Sequence, residues 1–288
     1  MAKSKTGGSR AYIRGRIGSD VYSVGKDGMG KRQQVVRSLA EQVSNPRTQS
    51  QMVGRMIMST VMQAVSAMSA IIDHSFDGFA KGQPSISEFI RRNYALVKAD
   101  AAAHPASGNA FGINKYQEKG ILPGAYVVSN GSAVKPAAVT MSGKTLTIAL
   151  TSETMTVGGL KAALGITADG YMTAIVVTAE SGFCFARVKV DTSLADSTAI
   201  SSENVASLFS IESNVTAAAS VYQSNINIEL TVNGNDYTEG VIISDKVDGA
   251  WVHSACTLAG TLEDTQAADV ALPTYPTGTE QFLNGGDL

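Results

Sequence analysis

Only two of the 288 residues are cysteine, three are histidine and one is tryptophan, and aromatics make up 6%. Cys184 and Cys256 stand far apart, with no CxxC and no Cys/His cluster, which excludes a zinc site of ordinary ligand spacing. They could form one disulfide, but they read rather as two buried free thiols in a reducing compartment. With so few rings available, the core must be built from Ala, Val, Ile, Leu and Met. No block is low in complexity. The longest uncharged apolar run lies between Arg55 and Asp73 and is broken by Ser59, Thr60, Gln63, Ser66 and Ser69. It falls short of the roughly 20 apolar residues that a membrane helix needs. Lys3, Lys5 and Arg10 are followed by no apolar stretch, so no secretory leader is read.

What the chain does have is charge at two ends. Residues 1–56 carry eleven Lys/Arg against three acids, a net of +8. Residues 57–190 have a net of +3, and residues 191–288 carry fourteen Asp/Glu against Lys246 alone, a net of −13. The basic end suits phosphate, whose contacts are blind to sequence, and suits an acidic protein surface equally well.

Period-two patterning with glycine punctuation predicts short strands over 11–14, 20–24 and 33–38, forming a small basic sheet. Thr48 and Gln51 make a capping box that opens a helix over 48–73. Its apolar stripe is Val53, Ile57, Val61, Ala64, Met68 and Ile72, and Met52, Met56, Met58 and Met62 widen it beyond one side. Those four methionines are the expected oligomer interface. Ser85 and Glu88 form a second box for a helix reaching 104.

From 125 onward alternation dominates. Strands are predicted over 125–129, 137–141, 144–150, 171–179, 183–190, 225–232, 240–246 and 251–258, with short helices over 156–164 and 205–209. Ser142-Gly143, Ser181-Gly182 and Asp248-Gly249 read as tight turns. The fold class expected is α+β: a basic sheet with two helices, then an antiparallel, immunoglobulin-like β-sandwich (alternatively two small α+β units in tandem) and an extended acidic tail. Domain limits are set at 1–124, 125–260 and 261–288.

Reactive constellations are scarce. The run from Gly25 to Lys31 has phosphate-loop spacing, but Arg32 replaces the Ser/Thr that would hold magnesium, and a strand rather than a helix should follow. Asp73, His74 and Asp77 read as helix-end capping. Asn233 to Asp236 lacks the closing Glu of a calcium loop. Trp251 reads as a core residue. No catalytic residue, metal ligand or cofactor motif is assigned.

The segments Gly15-Arg-Ile-Gly18, Val21-Tyr22, Val35-Val36-Arg37 and Ser44-Asn45-Pro46-Arg47-Thr48, then Gln51 and Arg55, together resemble a family of phage and mobile-element proteins of gut Bacteroidetes. Val241 to Trp251 is similar to that family's C-terminal hairpin, although Val252-His253 stands where members often carry a basic residue. The resemblance covers the first hundred residues best. It implies a virion or DNA-associated role, in the virion or host cytoplasm, and supplies no catalytic residue.

The function expected is therefore a non-enzymatic, virion-associated structural protein that oligomerises or joins other virion proteins. Arg10, Arg14, Arg16, Lys31, Arg32, Arg37, Arg47 and Arg55 would contact DNA or an acidic partner. The alternatives are a free single-stranded nucleic-acid-binding protein and a glycan- or host-surface-binding module. No membrane partner is expected.

Overall fold

The computed structural model describes residues 3–6, 11–26, 32–38, 49–103, 120–191, 193–235 and 237–258. The chain divides between Arg47 and Thr48 into two compact units, rather than near residue 124. The helices cannot close a domain of their own, because they share a core with strands that follow them. The tail expected over 261–288 lies outside the described residues.

The first unit is an antiparallel meander of β1 (Lys3–Thr6), β2 (Ala11–Ile17), β3 (Asp20–Lys26) and β4 (Arg32–Ser38). Three of these strands were legible in the pattern. β1, reading Lys-Ser-Lys-Thr, has no apolar residue to announce it and exists through its pairing with β2. Gly18, at φ 59, makes the turn between β2 and β3. Every residue of β4 is exposed, and Val35 and Val36 keep 38% and 51% of their surface. Consecutive strand residues face opposite ways, so neither face of this sheet is covered at β4.

In the second unit, α1 (Gln49–Ala67) and α2 (Ser69–Ile72) replace the single helix expected over 48–73, with the break at Met68. Ile57, Val61, Ala64, Met68 and Ile72 of the stripe are buried. α3 (Gln83–Ala103) begins two residues before its supposed cap, because Pro84 suits the first turn of a helix. Ser85 instead donates to the Ala80 carbonyl, and Glu88 accepts from Arg91 and Arg92.

Two antiparallel sheets form the sandwich. The central one runs β10 (Phe209–Ser213), β9 (Gly182–Val190), β8 (Tyr171–Thr178), β13 (Tyr237–Val247) and β14 (Ala250–His253). The outer one runs β11 (Ala217–Tyr222), β12 (Asn225–Leu230), β7 (Thr145–Ala149) and β6 (Val139–Ser142). A ribbon of β5 (Tyr126–Ser129) and β15 (Cys256–Leu258) completes the unit. β10 and β11 were not anticipated. Between Val205 and Tyr222, Ser, Glu, Asn and Ala dilute the apolar alternation.

Along β8 and β9 the central sheet is buried on both faces. Ile175, Val177, Phe183, Phe185 and Ile242 meet the helices and the ribbon in one core. Their neighbours Ala174, Val176, Cys184, Ala186, Val241 and Ile243 meet Leu146, Ile148, Ile226 and Ile228 of the outer sheet in another. Into this second core α4 (Val157–Leu164) inserts Leu160 and Leu164, capped by Thr156, whose hydroxyl accepts from Gly159 N. Both cysteines are free and buried, one in each core. Gly240 lets the ribbon cross β13 closely, since a Cβ there would lie 2.7 Å from Cys256 Sγ.

Asn93, on α3, is 1% exposed and acts as a substitute strand for β5. Its Nδ2 donates to Val127 O at 2.8 Å and to Phe89 O, and its Oδ1 accepts from Val127 N at 2.9 Å. Replacing it with Leu leaves the Val127 amide and carbonyl without this partner, and the expected loss is about 2–4 kcal/mol. Urea denaturation of the full chain measures it; a loss under about 1 kcal/mol contradicts the role.

Candidate functional site

The sequence-predicted cations are not gathered on one face. Arg16 and Arg37 flank Val21 in one cross-strand row of the first unit. Arg32, five positions from Arg37 on β4, falls on the opposite face by strand alternation. Arg14 lies on β2, and Arg55 is an exposed residue of α1 in the second unit. Arg10, Lys31 and Arg47 lie outside the described residues. Ile17, 49% exposed, and Val36 share one face of the sheet with Tyr22. Val35 shares the other with Arg16 and Arg37. Each face is therefore a mixture of apolar and basic groups, and the expected single basic face is corrected.

The methionine surface also divides. Met56 is buried in its own chain, whereas Met58 and Met62, one helical turn apart, are 44% and 43% exposed. Met52 belongs to α1, but its side chain lies outside what is described. Met56 therefore belongs to the fold, and two of the four expected interface methionines remain accessible.

No helix of the described residues is long and apolar enough to cross a membrane. After Lys26 the next described element is strand β4, not the helix a phosphate loop requires. At Asn233 the carbonyl accepts from the Thr178 hydroxyl at 2.7 Å, which ties this link between the two sheets to the β8–β9 turn.

One cluster has the composition of a catalytic group. His253 Nδ1 lies 2.9 Å from Ser244 Oγ, and Asp77 is close by. The Asp77 carboxylate does not hold the imidazole, however. Its Oδ1 accepts from the His253 main-chain N at 2.7 Å, and its Oδ2 accepts from Ser132 N and Oγ. Ser244 and His253 are 2% and 3% exposed. The adjoining cavity, lined by His74, Thr173, Arg187 and Ser244 among others, holds about 10 Å³, roughly the space of one water. A nucleophile there has no substrate to reach, and the carboxylate orients backbone, not base.

The arrangement is a structural seam. Ser75 Oγ donates to Val128 O, Ser129 Oγ lies within hydrogen-bonding distance of Ser75 O and Ser254 O, and Ser254 Oγ accepts from Ile243 N. These short polar groups join the α2–α3 loop, the ribbon and the central sheet. The sequence carried no signal for it, since isolated serines have no period.

Beside the seam, toward the β14 edge of the central sheet, side chains from β9, β8 and β14 lie in a row. Arg187 donates to Glu212 at 2.9 Å and to Ala70 O at 2.8 Å, and its guanidinium sits 5.1 Å from the Tyr171 ring centroid. The Tyr171 ring lies 5.4 Å from that of Trp251. Trp251, expected in the core, is 37% exposed, because β14 is an edge strand.

No family model, no curated protein and no solved structure matches the chain.

Burial lowers the His253 pKa to about 4, with Asp77 opposing and His74 adding to the shift. A histidine held below its unfolded value near 6.5 leaves stability untouched above that pH. Stability is then lost progressively as pH falls from about 6.5 to about 4, by about 3 kcal/mol for this group. Replacing His253 with Gln should flatten the pH dependence of the urea midpoint across that window by about one proton. An unchanged slope counts against the assignment.

Proposed function

We propose that the chain is a structural component of an assembled particle, a phage virion in view of the sequence resemblance, and that it joins its neighbours through the N-terminal sheet. The observation that carries this reading is the exposure of Ile17, Val35 and Val36, the last two on opposite faces of β4, where every residue is exposed. Strands with apolar groups on both sides gain stability only when another surface removes them from water.

The charges support the same reading. Arg16 and Arg37 on one face and Arg32 on the other draw in an anionic neighbour, whether an acidic protein surface or packaged nucleic acid. The strongly acidic segment 191–288 carries the complementary charge on further copies. Charge of this kind steers association and sets its salt dependence, while burial of the apolar groups supplies most of the affinity. The exposed pair Met58 and Met62 on α1 is a second contact of the adaptable, sulfur-containing kind.

The full chain should scatter light as an oligomer at low ionic strength, or be retained by DNA with an affinity that falls as salt rises. Exchanging Val35 and Val36 together for Glu should reduce self-association, and exchanging Arg16 and Arg37 for Glu should lower the salt dependence. A chain that is monomeric and silent toward DNA at every salt concentration sinks the proposal. So does its absence, by mass spectrometry, from purified particles of the phage that encodes it.

A further inference from the structure

The row formed by Arg187, Tyr171 and Trp251 has the features of a ligand platform, independent of the N-terminal sheet. Trp251 is the only tryptophan of the chain and keeps 37% of its surface open at the edge strand β14. Its ring leans on Tyr171 at an interplanar angle of 56°. Tyr171 is in turn held by the guanidinium of Arg187, itself fixed by Glu212 and by the Ala70 carbonyl. Two aromatic rings are thus held in place before any ligand arrives, and a pre-formed site costs less to occupy.

An open indole suits two ligand classes, a nucleobase or the apolar face of a sugar ring. The local charges decide between them. Arg187 is paired with Glu212, and Lys246, the cross-strand neighbour of Trp251, is paired with Asp169 at 3.4 Å. Both cations next to the rings are therefore balanced, and Asp248 stands at the adjoining turn. A phosphate chain would meet balanced or negative charge here, in the most acidic third of the sequence. A neutral sugar meets a stacking surface rimmed by a donor and an acceptor, the Lys246 ammonium and the Asp169 carboxylate.

We infer that Trp251 and Tyr171 form a stacking platform for a neutral glycan, with Lys246 and Asp169 hydrogen-bonding to ring hydroxyls. The platform is shallow, so a single sugar binds weakly and useful strength comes from many copies on one assembly.

Because Trp251 is unique, its fluorescence reports this site alone. Full-length protein is titrated with neutral hexasaccharides of glucose (both linkages), mannose, xylose and N-acetylglucosamine, and with a single-stranded deoxythymidine 20-mer. The expected result is a saturable shift of emission with at least one of the glycans and none with the oligonucleotide. By calorimetry, Tyr171→Ala should weaken that glycan at least tenfold, Trp251→Ala should abolish binding, and Trp251→Phe should retain part of it. Circular dichroism identifies any variant that fails to fold. No response to any of the five glycans at millimolar concentration overturns the inference, as does a response to the oligonucleotide alone. Undiminished glycan binding by folded Trp251→Ala overturns it too.

Discussion

Everything in the larger unit depends on a sheet that is buried from both sides. β8 and β9 carry apolar groups at nearly every position because odd and even residues each face a separate core. One core is closed by helices from the first hundred residues, and the other by a second sheet. Among the described residues each covering layer buries its apolar face in one of these two cores, so helices, ribbon and both sheets are coupled through the central strands. An antiparallel sheet usually keeps one face wet; here both faces are dry along β8 and β9, and the chain spends few aromatic residues to achieve it.

Such a layered arrangement brings polar backbone into the interior where layers join, and that backbone must be bonded. The seam around Asp77 and Asn93 meets this requirement. A carboxylate serves the main chain of His253 and Ser132, an amide serves both polar groups of Val127, and serines link the remaining carbonyls. A serine, a histidine and an aspartate gather there without composing a catalytic device. The same residue types serve structure when the carboxylate faces backbone and the histidine is sealed from water.

The smaller unit obeys the opposite rule. Its β4 strand exposes apolar side chains to both faces, and its arginines are divided between them. A sheet that meets water in this way is the physical ground for the proposal that the chain is a part of a larger assembly.

The amino-acid pattern by itself determined most elements: the α1 stripe, the helix at 157, the β8–β9 hairpin and the Asp248-Gly249 turn, where φ is positive at both residues. These are encoded by neighbours a few positions apart, so periodicity and turn chemistry suffice to find them. It also determined the two-ended charge, which no folding can change. Strand β1 and the Phe209–Ser213 and Ala217–Tyr222 strands were hidden, because they are strands only through their partners. Tertiary structure alone decided that the helices belong to the sandwich, that Met56 is interior and that Trp251 stands at the surface beside Tyr171. Each of those facts joins residues far apart in the chain, and long-range contact leaves no local trace in composition or spacing.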